Sequence, residues 1–319
     1  MALPIALMMD DGSPINMMFW HHPWEAHTIL IPNSVVRDFA SLCKTFGVKG
    51  KFSVIPMPAA KGRIDRSLNG VSAAHLREFL TLVRDRLAPH FDITCELLTH
   101  LVEYHTATGY FGHRYEDAWV AQASVPEMTE YIAVALEILD NVGLRPTGVT
   151  SPWGTGSTNE TAYAEAISRA FQRQLRRKTS WYFLHMAPEG EGLWPYVTWE
   201  DTKAGLKTVS VPVNTNDMFW DVQAGTLRQV RAAARAGADA LLSADGTSGR
   251  LRELYDQQAP LTICTHWQCM FANGRDVGLR GLEMTLERID KHFAGDIEWV
   301  TCSQLAKQHR PRPAHITQT

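Results

Sequence analysis

Two adjacent carboxylates, Asp10 and Asp11, directly follow the apolar run Leu3–Met9 and precede Gly12. An apolar run of this kind is typical of a buried strand, so both acids stand where that strand ends. Neighbouring carboxylates repel each other unless a cation or a shared proton relieves the repulsion. In a barrel of alternating strands and helices, the carboxyl ends of the strands hold the active site. Asp-Gly pairs also form simple turns. Asp10 and Asp11 therefore indicate a functional site only if other residues later in the chain complete it.

Strand-like and helix-like patterns alternate along the chain. The strand-like runs are Ile5–Met9, Lys51–Pro56, Phe91–Cys95, Gly148–Ser151, Trp181–His185, Thr208–Val213, Leu261–Thr265 and Ile297–Cys302. Helical spacing of apolar residues lies between them, at Val35–Phe46, Ser72–Leu87, Val125–Val142, Glu160–Leu175, Leu227–Ala236 and Leu279–Phe293. This alternation predicts an α/β fold with a parallel sheet. Because no linker is visible, we expect one (β/α)7-8 barrel domain over residues 1–311 and a polar tail over residues 312–319.

Composition excludes several classes of partner. The formal net charge of -3 at pH 7 gives no reason to expect nucleic acid or an acidic membrane surface. No apolar run reaches the roughly 18 residues that a membrane-spanning helix needs, and no basic segment precedes the first apolar run, as a secretory signal would require. The 5 cysteines are scattered and odd in number, which predicts free thiols and a cytoplasmic protein. The sequence leaves open whether the protein forms a homo-oligomer.

A second pair of metal-binding side chains follows a later strand. Glu96 comes directly after the run Phe91–Cys95, and His100 is four residues further on. If this segment is helical, the two side chains lie one turn apart on the same face. Together with Asp11 they would surround one divalent ion and leave a coordination position open, which is typical of catalytic sites. The alternative is an ordinary helix with an exposed glutamate and a half-buried histidine.

Four segments, in order, resemble the motifs of the polysaccharide deacetylase (NodB-homology) family. The family motif Thr-Phe-Asp-Asp-Gly is similar to residues 8–12, and His-Ser/Thr-x-x-His is similar to residues 96–100. Arg-x-Pro-x-Gly is similar to residues 150–154, and the final Leu-x-His is similar to residues 264–266. Each match is weak alone, but together they span most of the predicted barrel.

This resemblance implies a distorted (β/α) barrel of the glycoside hydrolase/deacetylase type that removes acyl groups from sugars. It implies one divalent metal ion, zinc first. Together with the cytoplasmic expectation, it favours a small carbohydrate-like substrate. Asp10 would be the general base and His266 the general acid. Asp11, Glu96 and His100 would hold the metal ion.

The chain also departs from the family pattern. Glu96 stands where the family has a metal-binding histidine, so the site is more anionic, and manganese, iron, cobalt or nickel become alternatives to zinc. Thr150 stands where the family has the arginine that orients the base. The family's Asp-Trp pattern has its nearest counterpart at residues 216–220. These departures predict a divergent member with altered chemistry or substrate.

Aromatic and histidine side chains fall in the segments predicted to overhang the strand ends. Such side chains stack on sugar rings or close the end of a barrel by packing. The loops Ser13–Ile31 and Gln268–Gly278 are long, and long loops of this composition are often functional. The candidate substrate-binding residues are Trp20, His22, Trp153, His185, Trp267 and Arg275. Which of His21, His22, His27 and His185 face the site is left open.

Three functions fit this sequence. The first is a metal-dependent hydrolase of a C–N or ester bond, with water as the nucleophile. The second is a metal-dependent lyase or epimerase that uses the same Asp10 and His266 to move a proton. The third is a carbohydrate-binding barrel without catalysis, although such a protein has no need for both proton-transferring side chains and a metal site.

Overall fold

A computed structural model describes residues 2–21, 28–184 and 194–311. Its main feature is one curled sheet with helices packed outside it. The strands are β1 Leu3–Asp10, β2 Gly50–Val54, β3 Gly62–Arg63, β4 Ser67–Leu68, β5 Phe91–Glu96, β6 Val102–His105, β7 Tyr110–Tyr115, β8 Gly148–Thr150, β9 Thr179–Phe183, β10 Tyr196–Asp201, β11 Leu206–Ser210, β12 Leu261–His266 and β13 Ile297–Trp299.

The helices fill most of the connections between the strands of this sheet. They are α1 Met18–His21, α2 Asn33–Thr45, α3 Ala73–Leu82, α4 Glu116–Val120, α5 Val125–Asn141, α6 Glu160–Leu175, α7 Leu227–Leu241, α8 Arg250–Asp256, α9 Trp267–Phe271, α10 Val277–Phe293 and α11 Cys302–Ala306. One π-helical turn, Val83–Leu87, extends α3. Every strand-like run and helical pattern predicted from the sequence overlaps one of these elements, although His185, the last residue of one predicted run, lies outside the described residues.

The strand order is β10-β11-β9-β8-β5-β2-β1-β12, and β13 also pairs with β1. The pairs are parallel except for β10, which runs antiparallel to β11. Within the described residues the two ends of this path do not pair, so the α/β prediction is confirmed but the barrel is not closed. Side chains reach across part of the opening: the Asn214 N–H donates to Thr262 Oγ1 at 2.6 Å, and the Cys264 N–H donates to Thr215 Oγ1 at 3.0 Å.

Strand alternation divides β1 between two apolar cores. Leu7 and Met9 belong to the large core that the sheet forms with the helices. Ala6 and Met8 belong to a smaller core inside the curl of the sheet. Because side chains alternate along a strand, Asp10 continues the inward-facing set at the carboxyl end of β1. This is how an apolar strand delivers a carboxylate to the interior of the curled sheet.

Several stretches differ from the prediction, and one of them is β10, which was not predicted. The segment Gln268–Gly278 was expected to be an irregular loop, but α9 covers its first residues, and their side chains are buried. The β6–β7 hairpin was not predicted, since its strands are mostly exposed and lack a buried apolar face.

Other predictions concern thiols and membranes. All 5 cysteines are buried and unpaired, as expected. In the ranges that the structure describes, no helix combines the length and apolar character needed to cross a membrane. The tail 312–319 lies outside the described residues.

Candidate active site

A cavity of about 270 Å³ opens at the carboxyl ends of the central strands. Its wall contains all five residues predicted to carry the chemistry, namely Asp10, Asp11, Glu96, His100 and His266. They come from β5, β1 and β12 and the segments that follow these strands, which are close together because only β2 lies between β5 and β1. The fold therefore brings together residues that are separated by up to 256 positions in the chain.

Asp11, Glu96 and His100 form a compact group whose donor atoms all lie within 4.8 Å of one another. His100 Nδ1 lies 3.1 Å from Asp11 Oδ1 and 3.7 Å from Glu96 Oε1. Asp11 Oδ1 and both His100 ring nitrogens are buried and have no hydrogen-bond partner. Buried polar atoms are normally satisfied. A divalent ion would satisfy Asp11 Oδ1 and one of the two ring nitrogens here, and two carboxylates with one imidazole are suitable ligands for it.

The remaining oxygens of the two carboxylates are held in place by the protein. The Asp11 N–H donates to Glu96 Oε2 at 2.7 Å, and Ser53 Oγ donates to the same oxygen at 2.6 Å. The Gln268 side-chain amide donates to Asp11 Oδ2. Asp11 itself adopts a left-handed backbone conformation with φ 62°, which bends the chain so that its N–H reaches Glu96. Each carboxylate thus has one anchored oxygen and one that faces His100.

The predicted helical spacing of Glu96 and His100 is wrong. Glu96 is the last residue of β5, and Leu97 and His100 have φ values of 36° and 50°, which no right-handed helix contains. The buried carboxylate of Glu116 holds this loop by accepting the N–H groups of residues 98, 99 and 100 at 2.9–3.1 Å. It also accepts the hydroxyl of Tyr131 at 2.7 Å. Hydrogen bonds to Glu116, in place of a helical turn, bring His100 back over Glu96.

Asp10 is paired with Lys51, whose ammonium group is completely buried. Lys51 Nζ also donates to Thr150 Oγ1 at 2.7 Å and lies 4.8 Å from the centre of the Phe183 ring. Thr150 Oγ1 is in turn 2.9 Å from Thr94 Oγ1. Thr150 is the residue that stands where the family motif has its arginine. Lys51 therefore places a cation beside Thr150.

His266 is oriented by Asp217, from the segment that follows β11. Asp217 Oδ2 lies 2.7 Å from His266 Nδ1 and accepts the His266 backbone N–H at 3.1 Å. The Cys269 thiol also approaches this oxygen, at 3.4 Å. The ring of Trp220 lies 5.0 Å from the His266 ring. Residues 216–220, the weak counterpart of the family's Asp-Trp pattern, thus contact His266 with both an aspartate and a tryptophan.

Burial and neighbouring charges displace the protonation equilibria of these groups. Burial lowers the pKa of His100, but Asp11 and Glu96 outweigh it and raise that pKa to about 9. Burial and the charge of Asp11 raise the pKa of Glu96 to about 8. Burial also lowers the pKa of His266, but the bond to Asp217 and the charge of Asp11 raise it to about 10. In the absence of a cation, protons therefore compensate part of the buried negative charge.

The candidate substrate-binding residues separate into three groups. Trp153 lines the cavity, and its ring lies 4.5 Å from the ring of His100. Trp20, Trp267 and Arg275 are not among the described residues of the cavity wall. His22 and His185 lie outside the described residues, as does His27.

The positions of the three residues away from the cavity have simple physical reasons. Trp267 is fully buried against Phe39 and Phe52 in the core outside the sheet. Trp20 packs under the Lys61 ammonium group, 5.3 Å from it. The exposed Arg275 donates to the Gly225 carbonyl. By contrast His21, one of the histidines left open, lines the cavity and its Nε2 lies 2.9 Å from the His100 carbonyl.

Sequence reasoning missed Lys51, Ser53, Glu116 and Gln268. Lys51 left the clearest signal, because a lysine inside a strand with buried neighbours needs an anionic partner. Glu116 left no signal, since a glutamate at the start of a helix is normally exposed.

Comparisons with known proteins indicate only distant likenesses. No family model matches the chain, and no curated protein matches its sequence. A mutant of a CE4 family pseudoenzyme with restored enzymatic activity is 9% identical, with TM-score 0.43 over 97% of this chain and 69% of that one. A protein from Enterococcus faecalis, proposed to cleave cellobiose phosphate, is 12% identical, with TM-score 0.48 over 96% of this chain and 100% of that one.

A GH57-type branching enzyme from Pyrococcus horikoshii is 10% identical, with TM-score 0.48 over 98% of this chain and 71% of that one. These likenesses are too distant to indicate an activity or a substrate.

Metal binding at this site should release protons. Since the pKa values of Glu96 and His100 are about 8 and about 9, both groups are mostly protonated at pH 7 in the free protein, whereas a metal ion binds their unprotonated forms. The apparent dissociation constant for Mn²⁺ should therefore fall about tenfold per pH unit for each proton released, up to about pH 8, and level off above about pH 9. Titration calorimetry in buffers of different ionisation enthalpy measures the protons. Binding that does not vary with pH would contradict this assignment.

Glu116→Gln should weaken metal binding although Glu116 is not a ligand. Both oxygens of Glu116 now accept N–H groups of residues 98–100, but a glutamine side chain has only one acceptor oxygen. His100 therefore loses its fixed position. We expect an affinity for Mn²⁺ about 10–100-fold weaker, measured by competition with a chelating dye. Glu127→Gln, which alters an exposed glutamate at the start of α5, is the matched control. Equal affinities in both variants would show that the loop does not depend on Glu116.

Proposed function

We propose that this protein is a divalent-metal-dependent hydrolase that removes an acyl group from a carbohydrate-like molecule. The observation that carries the proposal is the joint placement of three groups on one cavity wall. Asp11, Glu96 and His100 offer unsatisfied ligand atoms, Asp10 is held by Lys51, and His266 is held by Asp217. The resemblance of four sequence motifs to the polysaccharide deacetylases supports the same reaction.

Each residue has a separate task in this reaction. A divalent ion bound by Asp11, Glu96 and His100 would supply Lewis acidity to a water molecule and an acyl carbonyl. Asp10 accepts a proton from the attacking water. His266 donates a proton to the leaving nitrogen or oxygen as the bond to the acyl carbon breaks. The products are a carboxylic acid and the free amine or alcohol, so water is the only co-reactant.

Lys51 and Asp217 are positioning residues. Lys51 keeps the Asp10 carboxylate in one orientation in a buried environment, where an unpaired carboxylate would be costly. Asp217 accepts from His266 Nδ1–H and favours the imidazolium form, in which Nε2 also carries a proton that can be transferred. The arrangement separates a proton acceptor from a proton donor on the two neighbouring strands β1 and β12, where Asp10 and His266 are directly paired.

Elemental analysis tests the metal site first. We expect about one equivalent of a divalent transition metal in the wild-type protein, and loss of that metal in both Glu96→Ala and His100→Ala. His105→Ala, which changes an exposed histidine on the β6–β7 hairpin, should retain it. Retention in all variants, or no metal in the wild-type protein after exposure to zinc, manganese and iron salts, would contradict the site.

The reaction itself is tested by release of acetate from acetylated amino sugars and acetylated sugars. Release should require metal, and the Asp10→Asn variant should lower kcat about 10²–10⁴-fold while it retains the metal. Incorporation of solvent deuterium into the substrate without released acetate would instead favour the lyase or epimerase.

Lys51→Met tests how Asp10 is held. Removing the ammonium group should lower kcat about 10²–10⁴-fold without loss of bound metal, because Asp10 loses its orientation while the three ligands stay. Adding Thr150→Arg to this variant returns a cation to the same place and should restore part of kcat. Thr150→Arg alone is the control. Loss of metal in Lys51→Met, or no recovery in the folded double variant, would overturn the positioning role.

A further inference from the structure

A second group of metal-binding side chains lies beside the candidate active site. Among the residues that the structure describes, two clusters of three such side chains have donor atoms within 4.8 Å of one another. These clusters are the first site, Asp11, Glu96 and His100, and the second site, Asp217, His266 and Cys269. The proposed reaction uses Asp217 and His266 but gives Cys269 no task. The thiol therefore adds to the second site a donor atom that proton transfer does not need.

Two distant segments bring the donor atoms of the second site together. His266 ends β12, and Cys269 is three residues further on, in the first turn of α9. Asp217 comes from the segment after β11, and its Oδ2 lies 2.7 Å from His266 Nδ1 and 3.4 Å from Cys269 Sγ. Its other oxygen, Oδ1, accepts the Phe219 N–H at 2.8 Å. The carboxylate thus has one anchored oxygen and one oxygen that faces both the imidazole and the thiol.

These separations suit one metal ion with little movement of the side chains. Zinc binds oxygen and nitrogen at about 2.0–2.2 Å and sulfur at about 2.3 Å, so neighbouring donors around a tetrahedral ion are roughly 3.3–3.7 Å apart. The distance from Asp217 Oδ2 to Cys269 Sγ is already in that range. Oδ2 and His266 Nδ1 need to move apart by about half an ångström. Because His266 lines the cavity, an ion can reach the second site from there.

Hydrogen bonds satisfy the donor atoms of the second site, in contrast to those of the first. His266 Nδ1 and the Cys269 thiol both donate to Asp217 Oδ2, so a metal ion has to displace two protons. At the first site Asp11 Oδ1 and the ring nitrogens of His100 have no hydrogen-bond partner. An ion at the second site should therefore bind about tenfold or more weakly. Dialysis should remove it and leave one equivalent of metal at the first site.

The donor types of the two sites favour different ions. The first site offers two carboxylates and one imidazole, which suit manganese as well as zinc. The second site offers one carboxylate, one imidazole and one thiolate. Because thiolate is a soft ligand, this set favours zinc or cobalt over manganese. Manganese should consequently occupy the first site alone, whereas zinc in excess should occupy both.

We propose that Asp217, His266 and Cys269 form a second metal site, which excess zinc occupies and through which it inhibits the enzyme. The inhibitory role rests on the proposed function, in which His266 is the proton donor, but the metal site itself does not. An ion bound to Nδ1 leaves His266 with one proton, on Nε2, so the imidazolium form is lost. Transfer of that last proton would create an imidazolate, which is a poor outcome near neutral pH. The leaving nitrogen or oxygen then has to depart without a proton.

Cobalt reports the second site directly, because a cobalt–thiolate bond has a near-ultraviolet charge-transfer band that carboxylate and imidazole ligands do not give. The full chain is freed of metal with a chelator and titrated with Co²⁺. We expect almost no band with the first equivalent and a strong band with the second. In His100→Ala, which lacks a ligand of the first site, the band should appear with the first equivalent.

Variants of Cys269 test whether the thiol is the ligand. Cys269→Ala and Cys269→Ser should both lose the band and the second equivalent of cobalt. Serine keeps a hydroxyl that can donate to Asp217, so this variant removes the thiolate but preserves the hydrogen bond. Cys43→Ala, which removes another buried thiol on α2, is the matched control and should keep both the band and the second equivalent.

Inhibition is measured as release of acetate from acetylated sugars, relative to the maximum of each variant. Zinc beyond one equivalent should lower kcat of the wild-type protein about tenfold or more, whereas the same excess of manganese should not. In Cys269→Ser the zinc concentration that halves the activity should rise about tenfold or more.

Two spectroscopic results would overturn the second site. One is the absence of a cobalt–thiolate band in the wild-type protein at several equivalents, and the other is a band that both Cys269 variants retain. A kcat that stays constant or rises while zinc fills the second site would overturn the inhibitory role, because His266 would then transfer its proton without hindrance or the second ion would take part in the reaction.

The outcome also separates this inference from the proposed reaction. If the cobalt–thiolate band depends on Cys269 but no acyl group is released at any metal concentration, the second site stands, and the hydrolase and its inhibition do not. If acetate release requires one equivalent of metal and neither the band nor inhibition by zinc is found, the hydrolase stands and the second site is wrong.

Discussion

The buried ammonium group of Lys51 is the interaction on which the candidate site depends. Asp10, Asp11 and Glu96 are all buried at the same strand ends, and three such carboxylates repel one another strongly at low dielectric. Lys51 compensates Asp10 alone, because its ammonium group is directed to that carboxylate and to Thr150. The negative charges of Asp11 and Glu96 must be compensated by His100, by protons or by a metal ion. This division distinguishes the proposed proton acceptor from the ligands.

Glu116 has the corresponding role for the loop that follows β5. A buried carboxylate is tolerated when hydrogen bonds satisfy it, and Glu116 accepts three backbone N–H groups and one tyrosine hydroxyl. These bonds hold left-handed backbone conformations at Leu97 and His100 that the residues would not adopt by themselves. The same residue closes the base of the β6–β7 hairpin. The geometry of the ligands and the position of the β6–β7 hairpin therefore have one common anchor.

Much of the fold could be predicted from the chain, and particular elements show why. Helix α6 spans the predicted residues Glu160–Leu175, because its apolar side chains recur at helical spacing over four turns. β10 and the β6–β7 hairpin were missed, since half-exposed strands lack both the apolar run and the strict alternation that identify buried ones. That the barrel stays open was also beyond prediction. The segment after β11 approaches β12 through the side chains of Thr215 and Thr262 and not through a ladder of backbone hydrogen bonds.

The candidate site divides in the same way between local and long-range causes. The sequence by itself determined that Asp10, Asp11, Glu96 and His266 stand at the ends of apolar strands, because a short buried run and its last residue are local features of the chain. Only the tertiary structure decided what holds them. Lys51 meets Asp10 because the register of β1 and β2 pairs Met8 with Lys51, and Asp217 meets His266 because the chain after β11 crosses to β12. Pairing between distant segments depends on sheet register and packing, which no local pattern of residues records.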